Sequence, residues 1–177
     1  FGAIYESSLK HLNGELLINK NPYFYRYSNN LPFVLVLTLI YSIPHLLGIS
    51  SYTLYGAIGI LFNILCIDIA IIFIYKILRM YFKDEQIKVF YFLTILYTPF
   101  ITYVPIFYTD TISLPFVVGG LYYLLKIFND NQNKKLNILI ASLLLGIGCC
   151  LKFTVIIILI AFVITYLIFF NISTLSS

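Results

Sequence analysis

Residues 52–75 read YTLYGAIGILFNILCIDIAIIFIY, with no Lys, Arg, His or Glu and a single acid, Asp68. A helix needs about 20 mostly apolar residues to cross a hydrocarbon core of about 30 Å. Lipid offers no partner to an unpaired backbone group, so a stretch of this kind has to be helical. The rest of the chain agrees. Of its 177 residues, 61% are hydrophobic, 18% aromatic and only 10% charged, and the mean hydropathy is +0.97. A soluble domain is typically about half apolar and about one quarter charged. An ordinary soluble protein is therefore excluded, and a formal charge of +4 gives no reason to expect a nucleic-acid partner. The expected class is an all-α polytopic transmembrane bundle in contact with membrane lipids.

Working outward, further apolar runs cover Leu31–Ile49, Val89–Val104, Ile112–Phe128, Leu136–Leu151 and Phe153–Phe170. The last two meet at Lys152 with almost no loop. Basic residues gather after the second run (Lys76, Arg79, Lys83, Lys88) and after the fourth (Lys126, Lys134, Lys135). The positive-inside rule makes both connections cytoplasmic. The connection Pro105–Thr111 and the Lys152 junction then fall on the outer face. The run 31–49 carries Pro32, Pro44 and His45, which mark it as a broken, interfacial or re-entrant element. Charge counting alone favours a full crossing for it. Two parts are expected, an amphipathic segment over 1–30 and a membrane bundle over 31–177.

Few residues are able to carry chemistry. Asp110 opens the fourth run beside Tyr108, Thr109 and Thr111. An acid there can orient a sugar hydroxyl, bind a divalent metal or hold a cation, and it can equally cap a helix. No cofactor is otherwise expected. Asp68 lies at membrane depth, where ionisable groups usually face a bundle interior or a wet cavity; a structural pairing near Lys76 is its simpler role. Lys152 can hold a phosphate as a point charge, or it can mark the membrane surface. In the first thirty residues, Ile4, Leu9, Leu12, Leu16 and Leu17 recur at helical spacing, as in a helix lying on a membrane. Tyr25-Arg26-Tyr27-Ser28-Asn29-Asn30 follows as an aromatic belt. Cys66, Cys149 and Cys150 sit inside apolar runs without metal or disulfide spacing and read as small hydrophobes.

The order of amphipathic segment, Tyr25–Asn30 stretch, proline-bearing run, Tyr108-Thr109-Asp110 loop and Leu151-Lys152-Phe153-Thr154 resembles the N-terminal half of bacterial GT-C superfamily glycosyltransferases. These are related to protein O-mannosyltransferases and aminoarabinose transferases. In Gram-positive members a Tyr-Pro-Asn-Asn stretch precedes the broken run; here Ser28 stands in place of the proline. The resemblance implies an enzyme of the cell envelope, integral to the bacterial plasma membrane. It would move a sugar from a polyprenyl-phosphate carrier to an acceptor on the outer face. It also implies that Asp110 is the acid of the second outer loop. Tyr25, Arg26, Asn29, Asn30, Tyr108 and Lys152 become substrate-binding candidates, and 31–49 becomes a non-crossing element. The family's main catalytic Asp is expected upstream of Phe1. Met80 is the single methionine, so the chain is expected to be a piece of a longer protein, inactive by itself.

Two other classes compete. A transporter or flippase subunit would place Asp68 in a cavity near the membrane midplane. A scaffold would leave every polar residue as a cap or an anchor. A glycosyltransferase would gather Asp110, Lys152 and the Tyr25–Asn30 stretch about one outer cavity.

Overall fold

The structure is a computed structural model that describes residues 2–15, 22–129 and 133–175. Among these residues every regular element is helical, so the chain is an all-α bundle as its composition demands. The elements are α1 (Gly2–Leu12), α2 (Pro22–Arg26), a 3-10 turn (Ser28–Asn30), α3 (Leu31–Leu46), α4 (Tyr52–Tyr81), α5 (Asp84–Leu96) and α6 (Thr98–Thr102). They continue with α7 (Thr109–Asn129), α8 (Lys134–Leu151), a second 3-10 turn (Phe153–Val155) and α9 (Ile156–Leu175). By length and composition, Ser28–Leu46, Tyr52–Tyr81, Thr109–Phe128 and Lys134–Leu151 can each cross a membrane.

Local sequence explains where the helices start and stop. Ser51 accepts a bond from the Leu54 N–H at 3.5 Å and opens α4. Gln86 accepts from the Lys83 N–H at 3.1 Å, and Asp84 and Glu85 put negative charge in the first turn of α5. Gly14 (φ +87) and Gly48 (φ +77) end α1 and α3 in the left-handed region. In each case the next residue's N–H reaches back to the helix: Glu15 to the Lys10 carbonyl at 3.0 Å, and Ile49 to the Pro44 carbonyl at 3.1 Å.

The run 31–49, expected as broken or re-entrant, forms one helix as far as Leu46. Pro32 sits in its first turn, where no intrahelical N–H is needed, and Pro44 sits in its last. The run 89–104 is divided instead. Pro99 lacks the N–H that would continue α5, and the chain breaks at Tyr97 before α6 begins.

Close contacts fix the helix directions. A Cβ on Gly120 would stand 2.5 Å from Leu145, and one on Gly148 would meet Phe116 and Val117, so α7 and α8 run antiparallel. On α4, Gly59 lies against Phe107 just before α7, while Phe73 lies against Gly119 and 5.8 Å from the Tyr122 ring. Helices α4 and α7 are therefore parallel, and residues 82–108 must return beside α4. Tyr91 of α5 stacks near Tyr75 at 5.6 Å on that return path.

The pair α1 and α3 packs differently. Thr38 donates to the Ser8 carbonyl at 3.3 Å, and Tyr5 meets Tyr41 edge-on at 6.0 Å, which makes the two antiparallel. Phe33 touches Phe107 at 6.2 Å, and Tyr41 touches Tyr55 at 5.3 Å. Both ends of this stretch of α3 thus meet the Tyr55–Gly59 end of the bundle, so α3 lies across that end. Ile4, Tyr5, Phe33, Val34, Leu37, Tyr41, Phe107 and Ile112 form one buried core there. A second core joins Leu124, Ala141, Leu145 and Val155. Leu16 and Leu17 of the expected amphipathic pattern lie outside the described residues.

Candidate functional site

Asp110 is the second residue of α7, where the positive end of the helix dipole favours its charge. Thr109, Thr111 and Ser113 around it are buried, and Ser113 donates back to the Asp110 carbonyl at 3.1 Å. Lys152 is the extended residue that separates α8 from the second 3-10 turn, held by its N–H on the Gly148 carbonyl at 2.8 Å. Its ammonium donates to Asp110 Oδ1 in an ion pair. The Asp110 side chain remains 63% exposed and the Lys152 side chain 31%. A carboxylate and an ammonium 42 positions apart in sequence thus share one open edge of the bundle.

Asp110 lines a cavity of about 480 Å³ with Ile67, Tyr97, Pro99, Tyr103, Tyr108, Thr111 and Leu114. The Tyr103 and Tyr108 rings stand 6.5 Å apart, inclined at 54°. A second cavity, of about 400 Å³, shares Ile67 and is lined by Ile64, Asp68, Ile71, Thr94, Ile101 and Val104. The return arm therefore packs loosely on α4, and Asp68 faces the gap.

The loop that carries Tyr108 is pinned by Asn63. This side chain is fully buried on α4 and its Nδ2 donates to the Val104 carbonyl at 2.9 Å and the Ile106 carbonyl at 3.2 Å. One turn earlier, Gly59 leaves room for Phe107; a Cβ there would stand 2.6 Å from the ring and 2.5 Å from the Tyr41 hydroxyl.

The 22–30 segment reaches this end of the molecule through Asn30, one of the expected residues, and Tyr23, which the sequence did not mark. Asn30 is buried and donates from Nδ2 to the Tyr23 hydroxyl at 2.6 Å, while Asn29 donates to Asn30 Oδ1 at 3.4 Å. Burial raises the Tyr23 pKa above the usual phenol value, and the nearby Tyr108 phenol raises it further. Burial likewise raises Tyr5, whose hydroxyl donates to the Tyr52 carbonyl. Tyr25 is 80% exposed, Arg26 lies over the Tyr27 ring at 5.7 Å, and neither lines the two cavities.

The fold brings Asp110, Lys152 and Tyr108 together and leaves Tyr25, Arg26 and Asn29 at the surface. Asn63, Tyr103 and Tyr97 were not singled out from sequence. Asn63 carried one signal, being the one amide within 52–75. Among the described residues no group of three or more His, Cys, Asp or Glu side chains gathers into a metal site.

The sequence profile of the dolichyl-phosphate-mannose-protein mannosyltransferase family matches residues 55–177. The match runs from Tyr55 within α4 through α9 and includes Asp110, Lys152, Asn63 and both cavities. No curated protein and no solved structure matches the chain.

Proposed function

The chain belongs to the dolichyl-phosphate-mannose-protein mannosyltransferase family, and from that premise we propose that it serves hexose transfer from a polyprenyl-phosphate carrier to an acceptor on the outer face of a bacterial plasma membrane. The family and the four membrane-length helices make it an integral membrane protein of glycosyltransferase type. In the proposed GT-C-type reaction an acceptor oxygen attacks the anomeric carbon. The C–O bond to the carrier phosphate breaks, and the electron pair leaves with the phosphate. The acceptor's proton passes to a carboxylate base.

The observation that carries this reading is the Asp110–Lys152 ion pair at the edge of the 480 Å³ cavity. Lys152 is held where a second anion can share its ammonium, and the charge that grows on the leaving phosphate is such an anion. Asp110 orients that ammonium and keeps one oxygen free for a sugar hydroxyl. The basic connections after α4 and α7 support a cytoplasmic inner end, which leaves this pair at the outer end. The lie of α3 across that same end supports a non-crossing element at the outer surface. Asp68 at its cavity and the break at Pro99 fit a transporter; family membership weighs against that alternative.

The test is transfer from polyprenyl-phosphate-mannose by the full-length protein. Asp110→Asn and Lys152→Gln are each expected to lower the rate by about 10²–10³-fold, the usual loss for one transition-state donor or its holder. Undiminished transfer by both variants would remove these residues from the reaction.

A further inference from the structure

The cavity at Asp110 has a composition that the ion pair does not explain. Three tyrosines, Tyr97, Tyr103 and Tyr108, and Pro99 form much of its wall, with Ile67 and Leu114 beneath and Asp110 and Thr111 as its polar members. Aromatic faces carry negative potential and aromatic edges positive potential. Polarised C–H bonds, such as those on one face of a pyranose ring, stack on such faces, while the ring hydroxyls point sideways and need acceptors or donors. A site for a hexose therefore calls for aromatic walls with a carboxylate and hydroxyls among them, and this cavity offers that set. Its volume of about 480 Å³ lies within the usual range of ligand sites, about 300–1,000 Å³.

The position of the walls is built into the backbone. Pro99 interrupts the return arm, so Tyr97 stands at the break between α5 and α6, outside both helices. The Tyr103 N–H closes α6 on the Pro99 carbonyl at 3.0 Å. Tyr108 comes from the loop that Asn63 anchors, and faces Tyr103 across 6.5 Å. Tyr97, Tyr103 and Tyr108 are 52%, 48% and 43% exposed, so none of the three belongs to the buried core.

We infer that this cavity binds the transferred hexose of the lipid-linked donor, with Tyr103 and Tyr97 on the α6 side as its stacking wall and Asp110 taking a ring hydroxyl. The inference rests on the glycosyl-transfer reading above and adds the residues that recognise the sugar. A stacking wall acts on the bound donor and on the transition state alike, so its loss raises KM and spares kcat.

The experiment is steady-state transfer by the full-length protein with polyprenyl-phosphate-mannose as the varied substrate. Tyr103→Leu is expected to raise the donor KM about tenfold, in line with the worth of an aromatic stack, with kcat within about threefold. Tyr103→Phe keeps the ring and is expected to recover most of the lost affinity. Tyr97→Leu gives a second, independent reading should Tyr103→Leu fail to fold. An unchanged donor KM in the folded Leu variants overturns the inference, as does a KM effect confined to the acceptor or a fall in kcat alone. Asp110→Asn run alongside separates the two failures. Lost transfer in Asp110→Asn with an unmoved donor KM in the Leu variants sinks the sugar wall and leaves the transfer reading standing. Absence of transfer by the unsubstituted full-length protein sinks both.

Discussion

Asn63 shows how much of the candidate site depends on a side chain that does not enter it. Its amide sits in an apolar helix and gives both of its hydrogens to the carbonyls of Val104 and Ile106. An acceptor left bare costs about 1–3 kcal/mol when fully buried, and here two on half-buried residues would be bared together. Asn63→Leu is therefore expected to lower the thermal midpoint in detergent and to expose the 103–108 connection to protease, while the rest of the bundle stays protected. Equal protection of that connection in both proteins would show that the amide does not anchor it. Asp110 and Lys152 were legible in the sequence because charges in an apolar chain are few and each invites a question. Asn63 was harder to read, since an uncharged amide in a membrane helix has meaning only when its partners, some forty positions away, are known. Tyr97 and Tyr103 were hidden by abundance: with 16 tyrosines in the chain, neither stands out.

At the scale of elements, α4, α7 and α8 were readable because long apolar runs leave the backbone one choice in lipid. The proline-bearing stretches were less so. Pro44 lies within a turn of the end of α3 and leaves a continuous helix, whereas Pro99 lies in mid-run and divides α5 from α6. The difference is one of position along a helix whose end the sequence marks only weakly, by Gly48. Composition and length allow α3 to cross a membrane, yet Phe33 and Tyr41 meet the same end of the bundle. We expect α3 to remain at the outer surface. In the full-length protein, with Cys66, Cys149 and Cys150 replaced, single cysteines at Tyr25 and Pro105 should both react with a membrane-impermeant thiol reagent on intact cells. One at Lys134 should not. Protection at Tyr25 with labelling at Pro105 would mean that α3 crosses.

Across the whole molecule the governing feature is the parallel course of α4 and α7. Two parallel helices need a return between them, and the return made by α5 and α6 is light and broken. It leaves cavities against α4 at Asp110 and at Asp68. The fold class was legible from composition alone. The cavities were not, because they arise from an element that packs poorly, and hydropathy registers only whether a run is apolar.

The same weakness bears on how the protein is made. The return arm, with Lys83, Asp84, Glu85 and Lys88 at its start and a break at Tyr97, is a poor signal for the translocon that sorts nascent helices into lipid. It has to be carried in by its neighbours, α4 before it and α7 after it. A reporter fused just after Thr102 should therefore be left mostly on the cytoplasmic side, while a full-length chain with a tag inserted at Pro105 should show that tag outside. Efficient export of the truncated fusion would mean that the arm inserts unaided. The two expected results together would make biogenesis cooperative, with the arm that walls the candidate sugar site drawn into place by α4 and α7.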